Sequence, residues 1–238
     1  MERLVTNPPA RSCIQDTVLS PADPAVRFLL NQAAQPRCSL AQLIVVAGER
    51  PVDDYISWIG RQHVASLPAG RVGIVDSFGD PCGWKNAWAV RQSGHDASQR
   101  RAVDGGSADS TSALAASGKV QVVNAMRDAH DGFQDIVAAV RSMLPSPCTE
   151  GGGEGRELPK TLVLVDSVSC FLLRSGVQDV LRMIHSLCTL PATCVAFVLH
   201  TDLHTPDISQ ALAAVSRCLV SVRSMDDEVT KGVNLALG

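Results

Sequence analysis

Short aliphatic runs that end in a polar residue recur along the chain and restrict its fold more than any other feature. They cover residues 11–15, 41–49, 71–78, 160–167 and 192–200, and a further run begins at residue 218. A continuous apolar run of this length is typical of a strand buried on both faces, as the strands of a parallel sheet are. We therefore predict a buried strand at each of these positions.

Helical patterns separate the strands. The predicted helices cover residues 25–34, 53–67, 122–144, part of 169–188, and 205–218. In the third of them, Val123, Met126, Phe133, Ile136, Val137 and Val140 fall near one apolar stripe. The alternation of strands and helices predicts an α/β domain whose mostly parallel sheet carries helices on both faces.

The 238 residues are enough for one substantial core of this kind. We predict a flexible N-terminus over residues 1–10 and a single domain over 11–238. Mobile inserts are expected at about 93–117 and 145–158, because both stretches are rich in small or polar residues and lack an apolar period. Aromatic residues make up only 4% of the chain, so the core must be mainly aliphatic.

Charge and cysteine content narrow the function classes. The net charge of −3 gives no global basic surface for nucleic acid. No apolar leader precedes the eight cysteines, and Cys170, Cys188, Cys194 and Cys218 lie within apolar runs. We expect reduced thiols in an intracellular protein. We predict no membrane partner, because no apolar run reaches the roughly 18 residues that span a bilayer.

Residues 162–167, LVLVDS, have the form of a Walker B strand, whose aspartate helps to hold Mg²⁺ in P-loop enzymes. Such enzymes also need a glycine-rich loop with a lysine and a hydroxyl residue. The chain has four lysines against seventeen arginines, and none of the four, Lys85, Lys119, Lys160 and Lys231, lies in such a loop. Residues 16–24, which follow the first strand, contain two prolines and no glycine. The sequence therefore predicts a degenerate phosphate loop.

Other candidate sites are weak. The glycine tract 151–155 precedes a strand rather than a helix, so we interpret it as a linker. His200, Asp202 and His204 could bind a metal, but a polar loop at a strand end is the favoured interpretation. His185 is expected to be a packed or partly exposed helical residue. We predict no catalytic, cofactor-binding or metal-binding residue and no cofactor.

Three segments together resemble the Elongator complex protein 5 family, particularly its plant-type members. Residues 162–173, LVLVDSVSCFLL, are similar to the family's pseudo-Walker B strand and the apolar helix after it. Residues 76–84, DSFGDPCGW, resemble its Asp-Pro-x-x-Trp element, which here includes Asp80 and Trp84, and residues 199–204, LHTDLH, are also similar. The likeness spans roughly residues 11–90 and 120–225.

The resemblance implies a RecA-like domain without ATPase activity. It implies assembly with Elongator proteins 4 and 6 in a heterohexameric ring that docks on the catalytic Elongator subunits. That ring binds tRNA and supports modification of the wobble uridine in the cytoplasm and nucleus, with no DNA partner. The family usually continues into further strands and an acidic tail, whereas this sequence stops at Gly238, so its C-terminal strands are expected to be incomplete.

Two alternatives belong to other function classes. An active RecA-type ATPase or recombinase paralogue would need the missing phosphate-binding residues. A small-molecule enzyme on a doubly wound sheet would need polar residues that converge at the carboxyl ends of the strands. The candidates for that convergence are Asp76, Asp166 and residues 200–204.

Overall fold

The computed structural model describes residues 10–17, 21–33, 35, 38–60, 68, 70–78, 120–124, 133–145 and 160–222, with the backbone alone for 120–124. Seven strands lie within these ranges. They are β1 Arg11–Asp16, β2 Gln42–Ala47, β3 Val72–Asp76, β4 Val120–Asn124, β5 Thr161–Val165, β6 Thr193–His200 and β7 Cys218–Ser221. They form one sheet in the order β4-β3-β2-β5-β6-β1-β7, and every neighbouring pair is parallel.

Helices cover both faces of the sheet. They are α1 Asp23–Ala33, α2 Val52–Ile59, α3 Gln134–Met143, α4 Ser169–Ser175, α5 Val177–Cys188 and α6 Pro206–Ala214, with a 3-10 turn at Thr201–Leu203. One core contains Leu30 and Ile56 from α1 and α2. The core on the other face contains Val140, Ile184 and Leu212 from α3, α5 and α6. Because successive side chains of a strand point to opposite faces, the apolar strands supply both cores.

This arrangement confirms the predicted RecA-like α/β domain with a mostly parallel sheet and helices on both faces. A single strand, β6, lies between β1 and β5. The strand that would lead into a phosphate loop and the strand that ends at Asp166 are therefore close but not adjacent. No helix within the described ranges is long and apolar enough to cross a membrane.

The prediction of one helix over residues 122–144 is wrong at its N-terminal end. Val120–Asn124 is strand β4, which pairs with β3 in the register Val72↔Val120 to Asp76↔Asn124. Three of its five residues are valines, whose branched side chains favour strands, and pairing with β3 outweighs the helical spacing of Val123. The helix itself begins at Gln134, and Met126 lies outside the described residues.

The predicted helix over residues 53–67 also needs correction. Helix α2 ends at Ile59. Gly60 follows it with φ of 81° and ψ of 130°, a conformation that glycine can adopt because it has no Cβ. The Gly60 N–H donates to the carbonyl oxygens of Ile56 and Ser57 and closes the last turn. Residues 61–67, the predicted insert 93–117, residues 1–9 and nearly all of the second insert lie outside the described residues.

Gly176 separates α4 from α5. Its φ of 81° and ψ of 170° fall in a region that essentially only glycine adopts. A Cβ built on Gly176 would meet no atom within 4 Å, so space does not require glycine here. The backbone conformation alone explains the residue.

We predict that Gly176→Ala lowers the free energy of unfolding by about 2 kcal/mol, because alanine is strained in this conformation. Urea denaturation measures the effect. Gln178→Ala, an exposed change in α5, is the matched control and should change stability by less than about 0.5 kcal/mol. Equal stability of the Gly176 variant and the control would contradict this explanation.

Candidate functional site

Polar side chains meet where four parallel strands end. Asp16 and His200 are the last residues of β1 and β6, Asp166 directly follows β5, and Glu49 lies two residues beyond β2. We call this side of the sheet the carboxyl edge. The four side chains line one shallow depression, which Asp23, Arg50, Tyr55 and Trp58 complete.

Asp166, the predicted Walker B aspartate, is an acceptor for the protein's own donors. Its side chain is buried, and its Oδ1 accepts the N–H of Gly48 at 2.8 Å. Its Oδ2 accepts the N–H of Glu49 at 3.1 Å and the phenol O–H of Tyr55. Burial raises the pKa of Asp166 to about 6, against the lowering effect of these hydrogen bonds. The carboxylate therefore fixes the segment of residues 48–50, which we call the 48–50 loop.

Gly48 lets that loop approach helix α4 closely. A Cβ on Gly48 would lie 2.8 Å from Cys170 Sγ and 3.0 Å from the Phe171 ring. Both distances are too short for an ordinary carbon contact, so a larger residue would push the loop away from Asp166.

His200 links two carboxylates across the carboxyl edge. Its Nδ1 lies 2.6 Å from Asp16 Oδ1 and its Nε2 lies 2.8 Å from Glu49 Oε2. These hydrogen bonds raise the pKa of His200 to about 10, and the bond from His200 is the largest cause that lowers the pKa of Glu49. At neutral pH the group is an imidazolium between two carboxylates. We call it the Asp16–His200–Glu49 clamp.

Asp16 also occupies the approach to helix α1. Its Oδ2 accepts the N–H of Ala22 at 2.5 Å, immediately before the helix begins at Asp23. In P-loop proteins the helix that follows the first strand directs its N-terminal amides at a phosphate. Here the Asp16 carboxylate accepts a hydrogen bond from a loop amide, that of Ala22, at the corresponding position.

A stack of charged and aromatic side chains forms the outer wall of the depression. Arg50 donates to Asp23 at 2.6 Å. The guanidinium carbons of Arg27 and Arg50 lie 4.6 and 5.4 Å from the centre of the Trp58 ring. Trp58 also meets Tyr55 edge-to-face, with ring centres 5.6 Å apart. The stack joins α1 and α2 to the 48–50 loop.

The remaining sequence candidates lie apart from this network. Asp76 ends β3 and accepts the N–H of Phe78 at 3.1 Å, so it caps a local turn. Lys160 precedes β5 and therefore lies at the opposite edge of the sheet from Asp166. His185 is exposed on α5, and Asp202 is exposed in the 3-10 turn. Asp80, Trp84 and residues 151–155 lie outside the described residues.

Metal and thiol chemistry find little support in the described residues. Within those ranges, no group of three or more His, Cys, Asp or Glu side chains is arranged to hold a metal ion. The six cysteines in the same ranges are free. Burial raises the pKa of Cys13 and Cys170 to about 12, so neither is a thiolate at neutral pH.

Sequence reasoning singled out Asp166 and His200 but not the groups that hold them. The sequence pattern places Asp16 in a loop, although it ends β1, and it places Glu49 only at the end of a strand. Tyr55 is the single tyrosine of the chain and is completely buried. A lone tyrosine in the predicted helix over residues 53–67 is the one signal that could suggest a buried polar partner.

We predict that Asp166→Ala lowers the free energy of unfolding by about 3 kcal/mol, because two backbone N–H groups and the Tyr55 hydroxyl lose their acceptor. Asp166→Asn should lose less, since its carbonyl oxygen can still accept one bond. Chemical denaturation measures both. The control Asp207→Ala removes an exposed carboxylate in α6 and should cost less than about 1 kcal/mol. A loss for Asp166→Ala no larger than for this control would refute the role.

Comparisons with known proteins place the fold and the family. A solved structure with the same architecture is an uncharacterized protein, PH0321, from Pyrococcus horikoshii, crystallised with an unknown peptide. The TM-score is 0.52 at 13% sequence identity, and the alignment covers 90% of this chain and 78% of that one. This likeness concerns the fold alone, and no curated protein matches the sequence.

The model of the Elongator subunit Iki1 family matches residues 110–235, just over half of the chain. The match includes β5, α4, α5, β6, α6 and β7, and with them Asp166 and His200. The chain therefore belongs to the Elongator subunit Iki1 family.

Proposed function

We propose that the chain is a non-catalytic RecA-like subunit of the Elongator complex, corresponding to Elongator protein 5. In this role it assembles with Elongator proteins 4 and 6 into a hexameric ring. The ring supports modification of the wobble uridine of tRNA together with the catalytic Elongator subunits. Family membership supports the Elongator assignment, and the resemblance of residues 76–84, 162–173 and 199–204 supports the particular subunit.

The observation that carries the non-catalytic role is the internal occupation of the site where a nucleotide would bind. Asp16 accepts a hydrogen bond from the amide that precedes α1, and both carboxylate oxygens of Asp166 accept hydrogen bonds from the chain. A Mg²⁺ ion or a phosphate would have to displace these bonds. Buried donors that lose their partners cost free energy, so the displacement is unfavourable.

Charge opposes nucleotide binding as well. Asp16, Asp23, Glu49 and Asp166 line the depression, against the two cationic groups Arg50 and His200. Arg50 is paired with Asp23, and His200 with Asp16 and Glu49. A triphosphate would meet a surface with more negative than positive groups, and like charges repel strongly where water is partly excluded.

Exposed apolar side chains at the carboxyl edge support a role in assembly. Phe78 follows β3, Leu203 follows β6, and Leu173 lies in α4, which begins close to the end of β5. Their exposed fractions are 42%, 46% and 74%. Exposed apolar side chains of this size favour contact with another protein. Contact with tRNA would then be made by the assembled ring, in the cytoplasm and the nucleus.

We predict that the purified chain neither hydrolyses ATP nor binds Mg-ATP with micromolar affinity, because the phosphate position is filled by carboxylates. Isothermal titration calorimetry and a phosphate-release assay measure binding and hydrolysis. A known RecA-type ATPase provides the positive control. An ATPase rate that Asp166→Asn abolishes would exclude the non-catalytic role.

We predict that the chain copurifies with Elongator proteins 4 and 6 from cells that express a tagged form. The double variant Leu173→Ser and Leu203→Ser should weaken this copurification, while the thermal unfolding temperature changes little because both side chains are exposed. Gln178→Ser is the control for an exposed polar position. Copurification of neither protein with the unaltered chain would overturn the assignment.

A further inference from the structure

The geometry of His200 fits a proton on both ring nitrogens when both neighbouring carboxylates are ionised. Each nitrogen faces a carboxylate oxygen, at 2.6 Å for Asp16 and 2.8 Å for Glu49. A neutral imidazole has one N–H and one lone pair, so one of its nitrogens would direct a lone pair at a carboxylate. The observed contacts therefore describe an imidazolium that donates two hydrogen bonds.

The two carboxylates differ in their freedom to leave. The Asp16 side chain has no exposed area and also accepts the N–H of Ala22. The Glu49 side chain is 42% exposed, so water can hydrate it if the bond to His200 is lost. If Asp16 lost its bond to His200, a buried carboxylate would be left without that donor, which costs free energy. Glu49 can instead turn outward into water. Loss of one proton from His200 would therefore release Glu49 first.

Glu49 belongs to the 48–50 loop, which is held at two levels. Asp166 accepts the backbone N–H groups of Gly48 and Glu49, and His200 holds the Glu49 side chain. The next residue, Arg50, pairs with Asp23 and lies over Trp58. The position of the loop therefore determines how Arg50 lies against Asp23 and Trp58.

We propose that His200 is a charge-dependent latch that closes the 48–50 loop, and that the loss of one imidazole proton frees Glu49 and loosens the loop. The latch is a conformational device of the fold, and the proposal does not depend on the Elongator assignment.

Several titratable or charged groups surround His200 and Asp166, and their pKa values fall in different ranges. Asp16 from β1 and Glu49 from the loop face His200. Burial lowers the pKa of His204 beyond the 3-10 turn, and the charge of His200 lowers it further. Three titratable groups lie around Asp166: Tyr55 from α2, Glu49 from the 48–50 loop, and Cys170 from α4. The positive charge of Arg50, which belongs to the same loop, is a further influence that lowers the pKa of Glu49 and opposes the raised pKa of Tyr55.

The direction of each shift then isolates one group. The pKa of His200 is raised from 6.5 to about 10, so its contribution to the closed loop is complete below pH 6.5 and is lost as the pH rises toward 10. Asp166 titrates between 3.8 and about 6, and the lowered pKa values of Glu49 and His204 also lie below pH 6.5. The thiol of Cys170, whose pKa is raised from 9.0 to about 12, contributes only above pH 9, and the phenol of Tyr55, whose pKa is raised from 10.0, contributes only above pH 10. Between pH 6.5 and 9 the loop should therefore respond to His200.

Amide hydrogen exchange of the full 238-residue chain, alone or bound to its partners, tests the latch. The measured quantity is the protection factor of the Gly48 and Glu49 amides, which is the intrinsic exchange rate of an unstructured amide at each pH divided by the observed rate. We expect this factor to fall by about tenfold or more between pH 6.5 and 9, since each unit of pKa shift corresponds to a factor of ten. A factor that stays constant over this range would overturn the proposal.

The variant His200→Gln should remove the pH dependence and leave a constant, lower protection of the two amides. His185→Gln changes an exposed histidine of α5 and should retain the wild-type profile. A His200→Gln profile that still falls between pH 6.5 and 9 would overturn the latch, because the pH dependence would then come from another group. If this variant does not fold, the wild-type titration alone still decides the question.

Discussion

A carboxylate with no exposed area, such as that of Asp16, must find hydrogen-bond donors inside the protein. The carboxyl edge of the sheet is organised around this requirement. Asp16 is satisfied by His200 and Ala22, and Asp166 by two loop amides and Tyr55. Since the donors come from four different parts of the chain, the buried acids hold strand ends, a loop and a helix in one arrangement.

The same requirement explains why this edge suits a structural role. In P-loop enzymes the amides and cations of the corresponding edge remain available for an external phosphate. Here the acceptors belong to the chain, so the interactions are present whether or not a ligand is at hand. The polar groups of this edge therefore form hydrogen bonds within the protein.

Small backbone details make the arrangement possible. Gly48 brings the loop against Cys170 and Phe171, and this approach lets two consecutive amides reach Asp166. The loop then carries Arg50 to Trp58, where the guanidinium lies against the ring and pairs with Asp23. The buried network is in this way connected to the surface formed by α1 and α2.

The sequence by itself determined the α/β class, most of the strands and the absence of a lysine-bearing phosphate loop. Apolar runs indicate burial directly, and the absence of a lysine within a glycine-rich loop can be read from the residues alone. It did not determine β4, because a short run of valines fits either a strand or a helical stripe until β3 pairs with it. It also did not determine the end of α2, which depends on the backbone conformation of Gly60. Only the tertiary structure decided the site, since His200 lies 184 residues from Asp16 and 151 from Glu49. Their contact follows from the order of strands in the sheet, which places β6 beside β1, and local sequence patterns do not encode that order.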